Sequence, residues 1–257
     1  MRRISIELVP RSSESLQGDL ELVKSGFPQI DTVNIPNLLR FELRSWDACR
    51  LVKKYYQRAI PHLRAIDLDL NSPFPFADCF AELGIEEVLV LTGDPPQEMR
   101  MIYPTDSIAL IKKLKREFPK LKVYAAFDQY RASMRVEYDY IQRKLDAGAD
   151  GFFTQPFYDL RLLEIYAEML EGLEVFWGVS PVTSSKSVTY WEAKNHVIFP
   201  KKFEPTLAWN IDFARAALEF TSKINGHIYF MPIRTNLQAF LDGVFGPPAN
   251  CPPDNPG

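Results

Sequence analysis

Two side chains stand where apolar packing alone does not explain them. Glu7 lies inside the apolar segment ISIELVP, and a carboxylate there is expensive to bury unless it has work or a partner. Gln155 follows Phe152, Phe153 and Thr154 at the end of another apolar run, an amide carrying both donors and an acceptor. Six comparable places recur along the chain: Asn34, Asp67, Thr92 with Asp94, Asp128 with Gln129, Ser180 with Thr183, and Arg234. Carboxylates, amides and one arginine gathered on one face would bind and polarise a polar ligand. Single members have plainer readings. Asp67 equally fits a helix cap, Arg131, Arg143 and Lys144 a solvated helix face, and His62 a structural histidine.

The elements that must position this set alternate. Strands are expected at 3–9, 31–35, 62–67, 87–91, 122–127, 152–156, 174–179 and 227–231. Helices are expected at 12–24, 46–58, 77–83, 107–118, 135–147, 160–170, 211–223 and 236–244. The stretch KLDAGADGFFTQPFYD shows the grammar best: a helix stopped by Gly148, a short connection, and a strand apolar on both faces, as parallel sheets require. Eight such repeats in 257 residues predict an α/β fold, one (β/α)8 TIM barrel over residues 1–245, with the polar set at its carboxyl-terminal face. The segment 183–205 has no clear periodicity. The tail 246–257, GPPANCPPDNPG, holds five prolines and is expected to stay outside the fold.

Composition excludes several classes. A net charge of -3 and a pI near 5.7 give no basic field for nucleic acid. No run approaches the ~20 apolar residues of a membrane span, and the amino terminus lacks a signal-peptide pattern. Cys49, Cys79 and Cys251 share no metal-type spacing and the three histidines are scattered, so no metal site is expected and a reducing cytoplasm fits best.

Four motifs then carry a resemblance. IELVPR, LTGDPP, DAGADGFFTQPFYD and GVSPVTS together resemble the methylenetetrahydrofolate reductases, nearly end to end along the barrel. The resemblance implies reduction of 5,10-methylenetetrahydrofolate to 5-methyltetrahydrofolate by hydride from NAD(P)H, NADH and NADPH being equally open. It implies that Glu7 is the general acid, that Asp94 is the carboxylate that pairs with the pterin and stabilises the cationic intermediate, and that Gln155 binds the pterin, with Arg234 also on the substrate. On the cofactor side it points to His62, Thr92, Tyr103, Ala125, Phe127, Arg131 and Lys144.

Family members usually hold FAD, and here the sequence departs from the pattern. Thr92 replaces the Arg of Arg-Gly-Asp, so a cation near the cofactor is lost. Phe127-Asp128-Gln129-Tyr130-Arg131 replaces Tyr-Pro-Glu-x-His, and Asn34-Ile35-Pro36-Asn37 replaces Thr-x-Gly-Ala. IELVP and Ile35-Pro36 are similar to a flavin-free branch, so FAD stays open. Two other readings remain: another barrel enzyme such as a lyase, and a non-catalytic subunit that binds folate or a partner protein. A homo-oligomer or a partner subunit is compatible with either.

Overall fold

The computed structural model describes residues 2–94 and 101–247. Pro95, Pro96, Cys251 and nearly all of the proline-rich tail lie outside the described residues. Strands and helices alternate, with two helices between the last two strands: β1 (Ile4–Glu7), α1 (Ser13–Gly26), β2 (Thr32–Ile35), α2 (Ser45–Val52), β3 (Arg58–Arg64), α3 (Ala77–Leu83), β4 (Glu87–Leu91) and α4 (Ser107–Glu117). Then come β5 (Lys122–Phe127), α5 (Met134–Asp146), β6 (Gly151–Pro156), α6 (Leu160–Met169), β7 (Val175–Val179), α7 (Ser185–Asn195), α8 (Leu207–Lys223), β8 (His227–Phe230) and α9 (Leu237–Phe245). All strands are parallel and β8 pairs back onto β1, closing an eight-stranded barrel. This is the TIM barrel expected of the sequence.

Helix starts are set locally. Ser12, Asp106, Ser133, Asp159, Ser184, Thr206 and Asn236 each accept a backbone N–H in the first turn of the helix that follows, satisfying donors that have no partner within the helix. Packing falls into three apolar groups. The largest fills the layer between strands and helices. The barrel interior holds Ile60, Leu89, Tyr124, Phe153, Phe176, Tyr229 and Met231, with Phe153 and Phe176 stacked at 4.2 Å. A third group, Tyr158, Val182, Trp191 and Val197 with Tyr130, Phe199 and Phe203 against it, anchors α7.

The structure corrects the sequence at one junction. The helix expected over 46–58 ends at Val52, and β3 begins at Arg58, four residues before the expected start. Pro61 reads as a break ahead of a strand because it has no N–H to give. It instead sits inside β3, opposite the last paired residue of β2, Ile35. At the other end β3 stops at Arg64, and residues 65–67 form a single tight helical turn. Within residues 183–205, whose structure the sequence leaves open, lies α7. Only Trp191 of this helix is buried, so its sequence carries no amphipathic stripe.

Candidate active site

A basin of about 310 Å³ opens on the carboxyl-terminal face of the barrel. Its lining includes Pro36 and Asn37 after β2, His62 and Arg64 of β3, Leu91 to Asp94 at the end of β4 and beyond, Ala126 to Asp128 and Arg131 at the end of β5 and beyond, Glu137, Tyr140 and Lys144 of α5, and Gln155 of β6. The carboxyl end of α7 completes it with Lys194, Asn195 and His196. Thus His62, Thr92, Asp94, Phe127, Arg131, Lys144 and Gln155, singled out in the sequence, share one basin.

Glu7 reaches this basin through its neighbours. Ser5, Asn34 and Glu7 meet through side chains, because β1 pairs with β2 in the register Ser5↔Thr32 and Glu7↔Asn34. Asn34 Nδ2 donates to Glu7 Oε2 at 3.3 Å and lies 3.1 Å from His62 Nε2. Its Oδ1 accepts the Ser5 hydroxyl at 2.7 Å. His62 is fixed from behind by Ser45, whose hydroxyl donates to the His62 carbonyl at 2.7 Å. The side chains of Glu7 and His62 are 10% and 8% exposed and 4.0 Å apart, too far for a hydrogen bond.

Burial dominates the electrostatics here. It pushes the Glu7 carboxyl up to about 7, against the opposing effect of the Asn34 bond. Burial also pushes the His62 imidazole down to about 3. Near neutrality the pair is therefore not an ion pair: the histidine is neutral, and the carboxyl, raised into this range, exchanges between its protonated and ionised forms. Lys144 is 4% exposed, donates to the Ala126 carbonyl at 2.6 Å and sits 3.9 Å from the Tyr140 ring centroid. Burial brings its ammonium down to about 8, with Glu137 opposing. Asp128 is raised, first by burial, although the Tyr130 backbone N–H and Arg131 pull the other way.

The loop after β4 shows how a residue unremarked in the sequence enters the site. Thr92 brings no cation, but Arg64 crosses from β3, its Nε donating to Asp67 at 2.8 Å and its Nη2 to the Asp94 carbonyl at 2.7 Å. Gly93 makes room for it. A side chain there would meet Arg64 Nε at 3.1 Å, and φ of 91° is in any case a glycine conformation. The neighbouring strand therefore sets a guanidinium against the Asp94 backbone, its charge paired with Asp67. Its signal in the sequence is two-residue spacing, since Arg64 follows His62 by two and must share its face.

Gln155 is placed by an irregularity. The β6–β7 pairing shifts between Phe153 and Pro156, where the Thr154 hydroxyl accepts the Gly178 N–H at 2.9 Å and the Tyr229 hydroxyl donates to the Thr154 carbonyl. Gly178 permits this, because a Cβ there would come within 2.9 Å of the Tyr229 ring.

Three residues are placed elsewhere. Ala125 is fully buried in the layer between strands and helices, and it is its neighbour Ala126 that lines the basin. Tyr103 lies on the loop before α4, its N–H donating to the Ile66 carbonyl at 2.8 Å. Arg234 follows β8, exposed, with φ of 55°, and does not line the basin.

Fold and site together define a (β/α)8 barrel with a polar basin lined by residues at the ends of β2 to β6 and of α7, and beside it a carboxyl raised by burial. The methylenetetrahydrofolate reductase family model matches residues 41–217, more than half of the chain, and the chain belongs to that family. Among curated relatives, the 5,10-methylenetetrahydrofolate reductase of Buchnera aphidicola subsp. Schizaphis graminum is 25% identical over 158 residues, 59% of this chain and 54% of that protein. The Escherichia coli enzyme of the same name is 26% identical over 148 residues, 55% and 50% of the two chains. The chain thus spans about half the length of the curated relatives it matches. Among solved structures, an uncharacterized protein from Clostridium thermocellum that binds two copies of 5-methyl-5,6,7,8-tetrahydrofolic acid superposes with a TM-score of 0.65 at 14% identity, covering 95% of this chain and 94% of that one. A 2,3-dimethylmalate lyase superposes with a TM-score of 0.55 at 11% identity, covering 90% and 73%. These two show the shared fold. No helix among the described residues is long and apolar enough to cross a membrane.

Proposed function

We propose that this chain reduces 5,10-methylenetetrahydrofolate to 5-methyltetrahydrofolate, taking hydride directly from NAD(P)H bound beside the folate. The observation that carries this reading is Glu7, a carboxyl whose burial sets its proton affinity to about 7 at the edge of a polar basin in a chain of this family. The five-membered ring of the substrate opens when a proton is delivered to its weakly basic nitrogen. Glu7 gives that proton, the carbon–nitrogen bond to the protonated nitrogen breaks, and the methylene carbon is left as an iminium cation. Hydride from the nicotinamide then adds to that carbon, giving the methyl group and the oxidised dinucleotide. Asp94 stabilises the cation electrostatically, and Gln155 pairs with the pterin edge through its donor and acceptor. Donor and acceptor carbons must be held within ~3–3.5 Å, so both substrates occupy the mouth together.

The residues of the basin do not make a cradle for FAD. Arg64 is committed to Asp67 and the Asp94 carbonyl, Lys144 to the Ala126 carbonyl, and Pro36 has no N–H to offer a pyrophosphate. Lys194 and Arg131, both exposed at the rim, the latter 3.6 Å from Asp128, can reach the phosphates of a dinucleotide that comes and goes. The proposal includes a cytoplasmic enzyme. A non-catalytic folate-binding subunit would have no use for a protonated Glu7.

The test is an anaerobic assay of the purified protein with methylenetetrahydrofolate and each nicotinamide in turn, alongside a visible spectrum. Turnover with intersecting double-reciprocal lines and no flavin absorbance is expected. Folded protein without turnover overturns the reductase reading, and bound flavin bleached by NADH or NADPH overturns direct transfer.

A further inference from the structure

Asn34 is fully buried, and its amide is shared among three side chains from two neighbouring strands. The Ser5 hydroxyl donates to its oxygen at 2.7 Å, which turns the amide nitrogen toward Glu7 Oε2 at 3.3 Å and His62 Nε2 at 3.1 Å. An amide nitrogen only donates. His62 Nε2 must then accept, so the ring carries its proton on Nδ1, and an imidazolium would set two donors face to face.

The surroundings offer no substitute for this control. Among the described residues Glu7 has no Lys or Arg within ion-pair distance, and His62 stands 4.0 Å away. Tyr229 faces it from β8, with Asp128 acting on the same phenol, and that hydroxyl is already given to the Thr154 carbonyl. Burial alone would drive Glu7 further toward the neutral acid, and the Asn34 N–H, which favours the carboxylate, is what opposes it.

We propose that Asn34 is a positioning residue that fixes which proton each partner carries: it holds His62 as the neutral Nδ1–H tautomer and steadies the Glu7 carboxyl, so that Glu7 is the only proton donor of the pair. The kinetic consequence rests on the reductase reading, whereas the tautomer does not.

Two measurements separate them. With 15N-labelled histidine, the His62 resonances of the ligand-free protein, assigned by their loss in His62→Gln, should report a neutral Nδ1–H ring that does not titrate between about pH 5 and pH 8. An Nε2–H ring or an imidazolium in that range overturns the proposal. In Asn34→Leu the tautomer should no longer be fixed, and the limb on which turnover falls with rising pH should move upward by roughly one pH unit, because the carboxylate has lost a donor. An unmoved limb with reduced folded fraction would mean that Asn34 only fills space. If Asn34→Leu does not fold, Asn34→Ser removes the same amide with less bulk, and the wild-type tautomer stands as an independent result. A protein that shows the Nδ1–H ring yet has no turnover sinks the reductase reading and leaves the positioning role.

Discussion

The two ends of the barrel both bury carboxylates and treat them in opposite ways. At the amino-terminal end the Arg3 guanidinium grips Glu87 through two bonds of 2.7 and 2.6 Å, gives a third to Tyr124 and a fourth to Thr32, and lies over the Phe176 ring. Glu174 accepts from His227, Lys122 and Tyr124. Burial alone would raise its carboxyl, but these three donors outweigh it and hold the group well below the usual carboxylate range. At the carboxyl-terminal end Glu7 has one amide and no cation among the described residues. Full compensation gives a fixed charge that closes the barrel floor, and partial compensation gives a proton that can leave. Both the number of donors and the depth of burial set the difference: Glu7 is the more deeply buried, its side chain 10% exposed against 27% for Glu174, and it has the fewer donors.

The sharpest way to break this contrast is Glu7→Gln. It keeps shape and hydrogen bonding but removes the proton, and turnover should fall by about 10²–10⁴, as for loss of a general acid. Steady-state kinetics with folate binding measured in parallel checks this, and unchanged turnover would return Glu7 to a structural role. At the other end, Arg3→Met leaves Glu87 buried without its partner and should cost about 3–5 kcal/mol of stability. Urea denaturation reads that loss, and turnover per folded molecule should stay the same. Loss of turnover without loss of stability would mean that the two ends are not separable.

The smallest effect is a pH dependence of stability. Glu7 has a folded value near 7 against an ordinary 4.5, so its protonated form is favoured by the fold. The associated stability is intact below about pH 4.5 and is lost as pH rises through 7, amounting to at most about 3 kcal/mol. Glu7→Gln should abolish that decline, so the denaturation midpoints of the two proteins should diverge between those pH values and run parallel above them. His62 works in the other direction. Its folded value near 3 against 6.5 withdraws stability as pH falls below about 6.5, in wild type and variant alike, and cancels in the comparison.

How much of this could be read from the sequence depended on contrast with the local background. The barrel was legible because strands covered on both faces leave unbroken apolar runs, and β4 and β5 fall where those runs begin and end. Glu7 was legible because a carboxylate in such a run has no trivial explanation. Arg64 was not, since an arginine at a strand end looks like a solvated one until the Gly93 loop is seen against it. The choice between Ala125 and Ala126 was equally hidden, because a strand apolar on both faces does not announce which side is inward. The end of α7 reaches the basin with Lys194 and His196, yet a single buried Trp191 leaves too little pattern to find the helix.

That single anchor matters for how such a protein can change over generations. Trp191 packs with Tyr158 and Val182 in an apolar group of its own, separate from the groups that hold strands to helices. Substitutions in α7 therefore leave the barrel's own cohesion intact while altering what the mouth admits. On the proposed reading, an acid held by the first two strands and a rim supplied by a separately packed helix can be inherited and revised as independent modules.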